Sequence, residues 1–236
     1  MKVKPFRFKQ FDIYQDKTAM KVGTDGVLLG AYANLTKGNR ILDIGTGTGL
    51  ISLMIAQRYP EAIIDAVEID RDAYLQAKDN FDKSIFNHQF SIYNQPIQKF
   101  KSQEKYDLIV SNPPFFTLND RVLSDSRKVA RQQDQLSFNE LLTQVSKLLL
   151  ADGTAEFIIP YDLETEFIQL ANEVNLFPIR ILHVKGNNKA LIKRSIITLS
   201  FHQLLDVKHQ ELVIEVDRHQ YTKEYIALTK AFYLKM

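Results

Sequence analysis

Four consecutive residues, Asn112-Pro113-Pro114-Phe115, combine groups that could handle a conjugated amine. Asn112 carries a side-chain carbonyl and Pro113 offers a backbone carbonyl. Pro114 has no N–H to compete for those acceptors locally. Phe115 adds a flat ring. Two acceptors and a ring suit a planar ligand that bears an NH2 group. A strand-ending Pro-Pro turn over a packed Phe accounts for the same four residues, so the choice rests on what else the chain carries.

Two other stretches bear on it. Asp43-Ile44-Gly45-Thr46-Gly47-Thr48-Gly49 spaces its glycines by two. That is G-x-G-x-G and not the G-x-G-x-x-G of pyrophosphate-bearing dinucleotides. Glycines at a strand-to-helix turn let a ligand touch main chain, although they also serve packing alone. Glu68 follows Gly49 by 19 residues, a position from which a carboxylate can accept from ribose hydroxyls. Capping of the next helix is the other use of such a residue, and Asp70 or Asp72 is better placed for that. Upstream, Thr24 or Asp25 could cap a short helix beginning near Gly26, where two glycines would also let backbone approach a ligand. Asn94 and Gln95 could each reach a base edge.

The elements that must position these groups follow from hydrophobic pattern. Phe6, Phe8, Phe11 and Ile13 approximate a strand pair. Strands are expected at 40–44, 63–69, 90–93, 106–111, 154–159, 179–184, 195–201 and 211–216. Helices are expected from Leu50, over 72–80, over 136–150 with Ser137 as cap, over 163–174 and over 222–228. Residues 117–135 are long, polar and charged, and are expected to form a mobile substrate lid. Alternating strands and helices followed by consecutive late strands predict an α/β fold, a doubly wound, mostly parallel sheet in a single domain over residues 1–236. At the carboxyl ends of such strands, the glycine loop, Glu68 and residues 112–115 converge on one crevice.

Bulk composition is that of an ordinary globular chain: 236 residues, 45% hydrophobic, 25% charged, net charge +2. The absence of cysteine excludes disulfides and thiolate metal sites and fits a cytoplasmic location. The amino-terminal residues do not read as a signal peptide, and no apolar run is long enough to span a bilayer, so no membrane partner is expected. Five scattered histidines lack ligand spacing, and no metal is expected. Basic residues cluster at Lys2, Lys4, Arg7 and Lys9, at Arg121, Arg127, Lys128 and Arg131, and at Lys185, Lys189, Lys193 and Arg194. Such clusters can form a phosphate-binding face. The oligomeric state stays open, with a monomer favoured.

A cofactor that carries a nucleoside but no pyrophosphate, facing an amine acceptor, is met by S-adenosylmethionine. The residues 43–49, Glu68 and 112–115 together resemble the class I S-adenosylmethionine-dependent methyltransferases with an N-P-P-aromatic motif. The run Phe8-Lys9-Gln10-Phe11, residues 19–30, residues 112–116 and the tail 221–234 resemble the bacterial tRNA1(Val) (adenine(37)-N6)-methyltransferases. These anchors span nearly the whole chain. The resemblance implies a Rossmann-like, seven-stranded sheet with an antiparallel late strand. It also implies methyl transfer to the N6 amine of adenine 37 in the anticodon loop of valine tRNA.

The resemblance further implies a cofactor set of Thr24, Asp25, Asp43, Gly45, Gly47, Gly49 and Glu68, with Asn94 or Gln95 as the substitute for the acidic residue that Pro96 displaces. Asn112, Pro113 and Phe115 would act on the amine. Phe116, Arg131, Lys185, Lys189, Lys193 and Arg194 would contact the RNA. Residues 1–35 would pack over the cofactor. Two departures stand out: Phe115 where Tyr is common, and Pro96 where an Asp near the cofactor's adenine is expected. The same motif also serves guanine N2 in rRNA, adenine in DNA and glutamine in proteins. A non-catalytic RNA-binding protein with a relic fold, or a nicotinamide oxidoreductase, would be distinguished by its lack of affinity for S-adenosylmethionine.

Overall fold

The computed structural model describes residues 4–18, 21–114 and 136–236. Phe115, Phe116, Arg131 and the lid expected at residues 117–135 lie outside the described residues. Strands β1 (Phe6–Arg7) and β2 (Asp12–Ile13) form the expected antiparallel pair. Helix α1 (Thr24–Tyr32) starts earlier than the sequence suggests, with Gly23 as its N-cap and no side-chain cap bond. Neither Thr24 nor Asp25 is the cap, because both lie inside the first turn.

Strand β3 (Arg40–Ile44) leads through the glycine loop into α2 (Leu50–Arg58). Then come β4 (Ile63–Glu68), α3 (Arg71–Lys83), β5 (Phe90–Asn94) and β6 (Tyr106–Ser111). Helix α4 (Phe138–Leu148) carries a full capping box: Ser137 accepts from the Glu140 N–H and Glu140 accepts from the Ser137 N–H. It runs directly into β7 (Leu149–Pro160). Helix α5 (Glu164–Glu173), β8 (Phe177–Asn187), β9 (Ile192–Ser200), β10 (Lys208–Asp217), β11 (Gln220–Tyr221) and α6 (Lys223–Thr229) complete the described chain.

The main sheet has the order β11-β10-β8-β9-β7-β6-β3-β4-β5. Strands β5, β4, β3, β6 and β7 are mutually parallel, and β9 is the antiparallel late strand between β7 and β8. The sheet has nine strands where seven were expected. The tail strand β10 lies parallel beside β8, and the chain turns back at His219, in the left-handed region, to add β11.

Alternate residues of the central strands feed two cores. Leu42, Ile44 and Ile109 pack with Leu141, Val145 and Phe167 of α4 and α5. Ile41, Leu108 and Val110 pack on the other face with Leu29, Ile55 and Tyr225 of α1, α2 and α6. Helix α1 lies close on α2 because its contact positions are glycines. A Cβ at Gly26 would stand 3.0 Å from Leu50 Cδ2, and one at Gly30 2.8 Å from Met54 Sδ. Gly26 therefore answers to helix packing rather than to ligand approach.

Candidate active site

Register sets the site's frame. Ile44 pairs with Val67 and with Ser111, and Glu68 pairs with Asn94, so the carboxyl ends of β6, β3, β4 and β5 stand flush along one rim. The glycine loop, Glu68, Asn94 and Asn112 all emerge there, as the strand-end reading requires. Ser111 fixes the β6 end by donating its hydroxyl to the Ile44 carbonyl at 2.8 Å.

The glycine loop is held in a left-handed path at Gly45, Gly47 and Gly49, with φ of 71°, 59° and 83°. The three glycines answer to different neighbours. A Cβ at Gly45 or Gly47 would meet nothing within 4 Å, whereas one at Gly49 would come within 2.5 Å of the Phe81 ring. Gly45 and Gly47 thus border open space and Gly49 serves packing. Below the loop, Asp43 is fully buried. Its Oδ2 accepts from the hydroxyls of Thr46 (2.7 Å) and Ser52 (2.6 Å), while its Oδ1 has no partner. Burial pushes its pKa from 3.8 to about 6, against the lowering effect of those two hydroxyls.

Glu68 ends β4 buried beside the loop. Its Oε2 accepts from the Gly47 N–H at 2.9 Å and its Oε1 from the Asp70 N–H at 2.9 Å. Burial raises its pKa, opposed by these backbone donors. Each carboxylate oxygen keeps further acceptor capacity. Asp70, as expected, caps α3 by accepting from Ala73 N–H. Asn94 donates both amide hydrogens, to the carbonyls of Glu68 (2.9 Å) and Ile69 (3.1 Å), which leaves its Oδ1 as the group it can offer a ligand. Asn112 is half-buried at the end of β6, and its Oδ1 is buried without a partner. Pro113 after it is buried and Pro114 is exposed.

Other candidates are occupied elsewhere. Asp25 and Arg194 form an ion pair at 2.8 Å, joining the start of α1 to the start of β9. Lys185 pairs with Glu211 at 2.7 Å. Two of the four basic residues of the β8–β9 hairpin are therefore paired, because neighbouring elements bring carboxylates to them. Lys189 and Lys193 are exposed and make no ion pair among the described residues. Near the amino terminus, Lys9 donates to the Lys230 carbonyl at 2.6 Å and Arg7 stands 3.9 Å from Asp12. Thr24 is exposed.

Three residues around the site escaped sequence reasoning. Ile69 is 58% exposed directly beyond Glu68, an apolar surface beside a ribose-type carboxylate; its position just past a strand-end acid was the available signal. Asn80 is buried and fully bonded. It accepts from the Tyr14 N–H (2.9 Å) and donates to the carbonyls of Tyr14 (2.9 Å) and Thr48 (2.8 Å), tying the amino-terminal segment to the glycine loop. Gln76, one turn earlier, accepts from the Lys17 N–H at 3.0 Å. The signal was two amides on the buried face of α3, spaced with Ala73, Ala77 and Phe81.

Open space over Gly45 and Gly47, a buried carboxylate beneath them and a second one beside them fit a nucleoside-bearing cation such as S-adenosylmethionine. Comparison with known proteins bears on this fit. Residues 18–159 match the family model described as methyltransferase small domain. A protein of Flavobacterium psychrophilum named tRNA1(Val) (adenine(37)-N6)-methyltransferase is 50% identical over 98% of this chain and 100% of its own length. One of the same name from Pseudoalteromonas translucida is 42% identical over 98% of this chain and 99% of its own length. Among solved structures, a protein of Agrobacterium tumefaciens described as a predicted O-methyltransferase aligns with a TM-score of 0.68 at 16% identity, over 88% of this chain and 96% of its own. A precorrin-6y C5,15-methyltransferase from Geobacter metallireducens aligns with a TM-score of 0.54 at 14% identity, over 80% and 93%. The structural likenesses speak to the fold.

Proposed function

The chain belongs to the methyltransferase small domain family and, within it, to the tRNA1(Val) (adenine(37)-N6)-methyltransferases, and on that premise we propose that it methylates the N6 amine of adenine 37 in valine tRNA. We place it in the cytoplasm with that substrate, acting as a monomer. No described helix is long and apolar enough to cross a membrane. The observation that carries the reading is the Asn112 Oδ1, a buried acceptor without a donor at the rim that the glycine loop and Glu68 share.

When bound, S-adenosylmethionine supplies an electrophilic methyl group on a sulfonium sulfur. The chain's own residues bind, orient and exclude water. Glu68 would hold the ribose hydroxyls, and Asn94 Oδ1 would accept from the exocyclic amine of the cofactor's adenine, beside the exposed Ile69. Gly45 and Gly47 let main chain approach, and the Asp43 carboxylate beneath them favours positive charge. The Asp25–Arg194 pair and Asn80 hold α1 and the amino-terminal residues as a cover over this half of the site.

At the acceptor, N6 of adenine is conjugated and weakly nucleophilic. Its two N–H groups donate to Asn112 Oδ1 and to the Pro113 carbonyl, which favours a tetrahedral nitrogen and aims its lone pair. Catalysis is then alignment and electrostatics. The methylated nitrogen releases its extra proton to water, so no strong base is required. Stacking of the extruded base on an aromatic side chain, the role proposed for Phe115 and Phe116, would contribute roughly 1–3 kcal/mol per base.

Replacing Asn112 tests this assignment. Asn112→Ala should lower kcat about 100- to 1,000-fold, with S-adenosylmethionine affinity nearly unchanged. The melting temperature should not fall, since the lost acceptor satisfies nothing within the fold. Wild-type turnover, or a large loss of cofactor affinity, would overturn the role.

A further inference from the structure

The hairpin joining β8 to β9 stands on the active-site rim. Strand β8 runs in the direction of β6, so its carboxyl end lies on the rim from which Asn112 emerges, and β9 returns from it. The outermost β7–β9 pair is Pro160 with Arg194. Leu191 lies three residues further out, about 10 Å along the strand direction, and β9 is offset from β6 by two strands, about 10 Å across the sheet. Ser111 is level with Phe157 and Phe157 with Ile197, so the tip projects about 20 Å beyond the end of β6, on the acceptor side of the rim.

Its construction is stiff at the base and unpartnered at the tip. Lys185–Glu211 and Arg194–Asp25 anchor the two strands. The turn is closed by the Ala190 N–H donating to the Asn187 carbonyl (3.1 Å) and the Lys189 N–H donating to Asn187 Oδ1 (3.0 Å). Between exposed Lys189 and Lys193, Leu191 is 80% exposed. A leucine held in water between two cations contributes nothing to the core, and its burial free energy is available to a partner. Acidic residues stand on both sides of the hairpin: Glu215 and Asp217 belong to β10, which flanks β8 away from β9, and Asp162 follows Pro160 at the end of β7.

Resting on the tRNA reading above, we propose that this tip enters the RNA beside the target. Leu191 fills the gap that the extruded adenine leaves in the base stack, and Lys189 and Lys193 hold the phosphates on either side. An adenine whose N6 reaches Asn112 has left its stack, and apolar side chains inserted between bases commonly offset the cost of unstacking. Lys185 and Arg194, by contrast, act as the hairpin's anchors rather than as RNA ligands.

The test uses the full chain and an unmodified valine tRNA transcript, with 2-aminopurine at position 37 to report unstacking by fluorescence, and with adenine there to report methylation. Leu191→Ala should reduce the fluorescence rise and kcat/KM for the tRNA by about tenfold, while cofactor affinity and melting temperature stay at wild-type values. Leu191→Met should retain most of both signals. If Leu191→Ala flips and methylates as the wild type does, the wedge is wrong and the methyltransferase assignment stands. If the wild type itself leaves the adenine transcript unmethylated, the tRNA reading fails and takes the wedge with it.

Discussion

Asp43 and Asn112 each keep one side-chain oxygen buried without a donor, a condition that costs about 1–3 kcal/mol in a fold with no use for it. For Asp43 the consequence is pH dependence. Its pKa in the folded chain is about 6, above its ordinary 3.8. Protonation as pH falls through 6 removes a negative charge from beneath the cofactor, so affinity for cationic S-adenosylmethionine should fall in that window. The same protonation favours the folded chain, because a carboxyl raised by burial binds its proton more tightly folded than unfolded. Calorimetric titration between pH 5 and 8 should therefore show weakening affinity on acidification with no loss of structure from this group, and Asp43→Asn should flatten the trend. Affinity independent of pH in the wild type would remove Asp43 from cofactor binding. At this scale the sequence was informative wherever a residue's type and its place at a strand end sufficed, as for Asn112 and Glu68. It was silent on partners. Nothing local to Arg194 reveals that Asp25, 169 positions earlier, is paired with it.

Loop 45–49 and helix α3 belong to one unit, since Gly49 admits Phe81 and Asn80 holds Thr48. The glycines separate by function in a way the G-x-G-x-G spacing hides. Gly49→Ala combines a left-handed backbone with a collision against a buried ring, and should cost at least about 2–3 kcal/mol of stability. Gly45→Ala meets only the backbone penalty, about 1–2 kcal/mol, but its new methyl group occupies the open space over the loop. Thermal melts and cofactor titrations on both variants check this. Gly49→Ala should lose more stability, and Gly45→Ala more cofactor affinity per unit of stability lost. Equal behaviour would mean that the loop does not contact the ligand through Gly45. Elements with strong periodicity or caps, such as α4 with its Ser137–Glu140 box, were legible in sequence. The early start of α1 was not, because Gly23 caps with backbone alone.

Across the whole molecule a net charge of +2 gives no general attraction for RNA, so binding must rest on local groups. Carboxylates pair with Lys185 and Arg194, Lys9 is tied to the Lys230 carbonyl but keeps its charge, and Lys189 and Lys193 are exposed. Lys193→Glu should weaken tRNA binding and lower the slope of log affinity against log salt by about 1; an unchanged slope would take the hairpin off the RNA face. The doubly wound sheet was readable from alternating patterns, while the docking of β10 and β11 onto its far edge was not, since an edge strand's neighbour is set by the rest of the fold. The chemical group was likewise readable from residues 112–115, whereas adenine 37 rests on kinship over the full chain. The most direct measurement supplies the protein with methyl-labelled S-adenosylmethionine and unmodified total RNA, then maps the labelled nucleoside. The account predicts N6-methyladenosine at position 37 of valine tRNA, and none with Asn112→Ala. Label on guanine N2, on another tRNA position, or only on protein would contradict it.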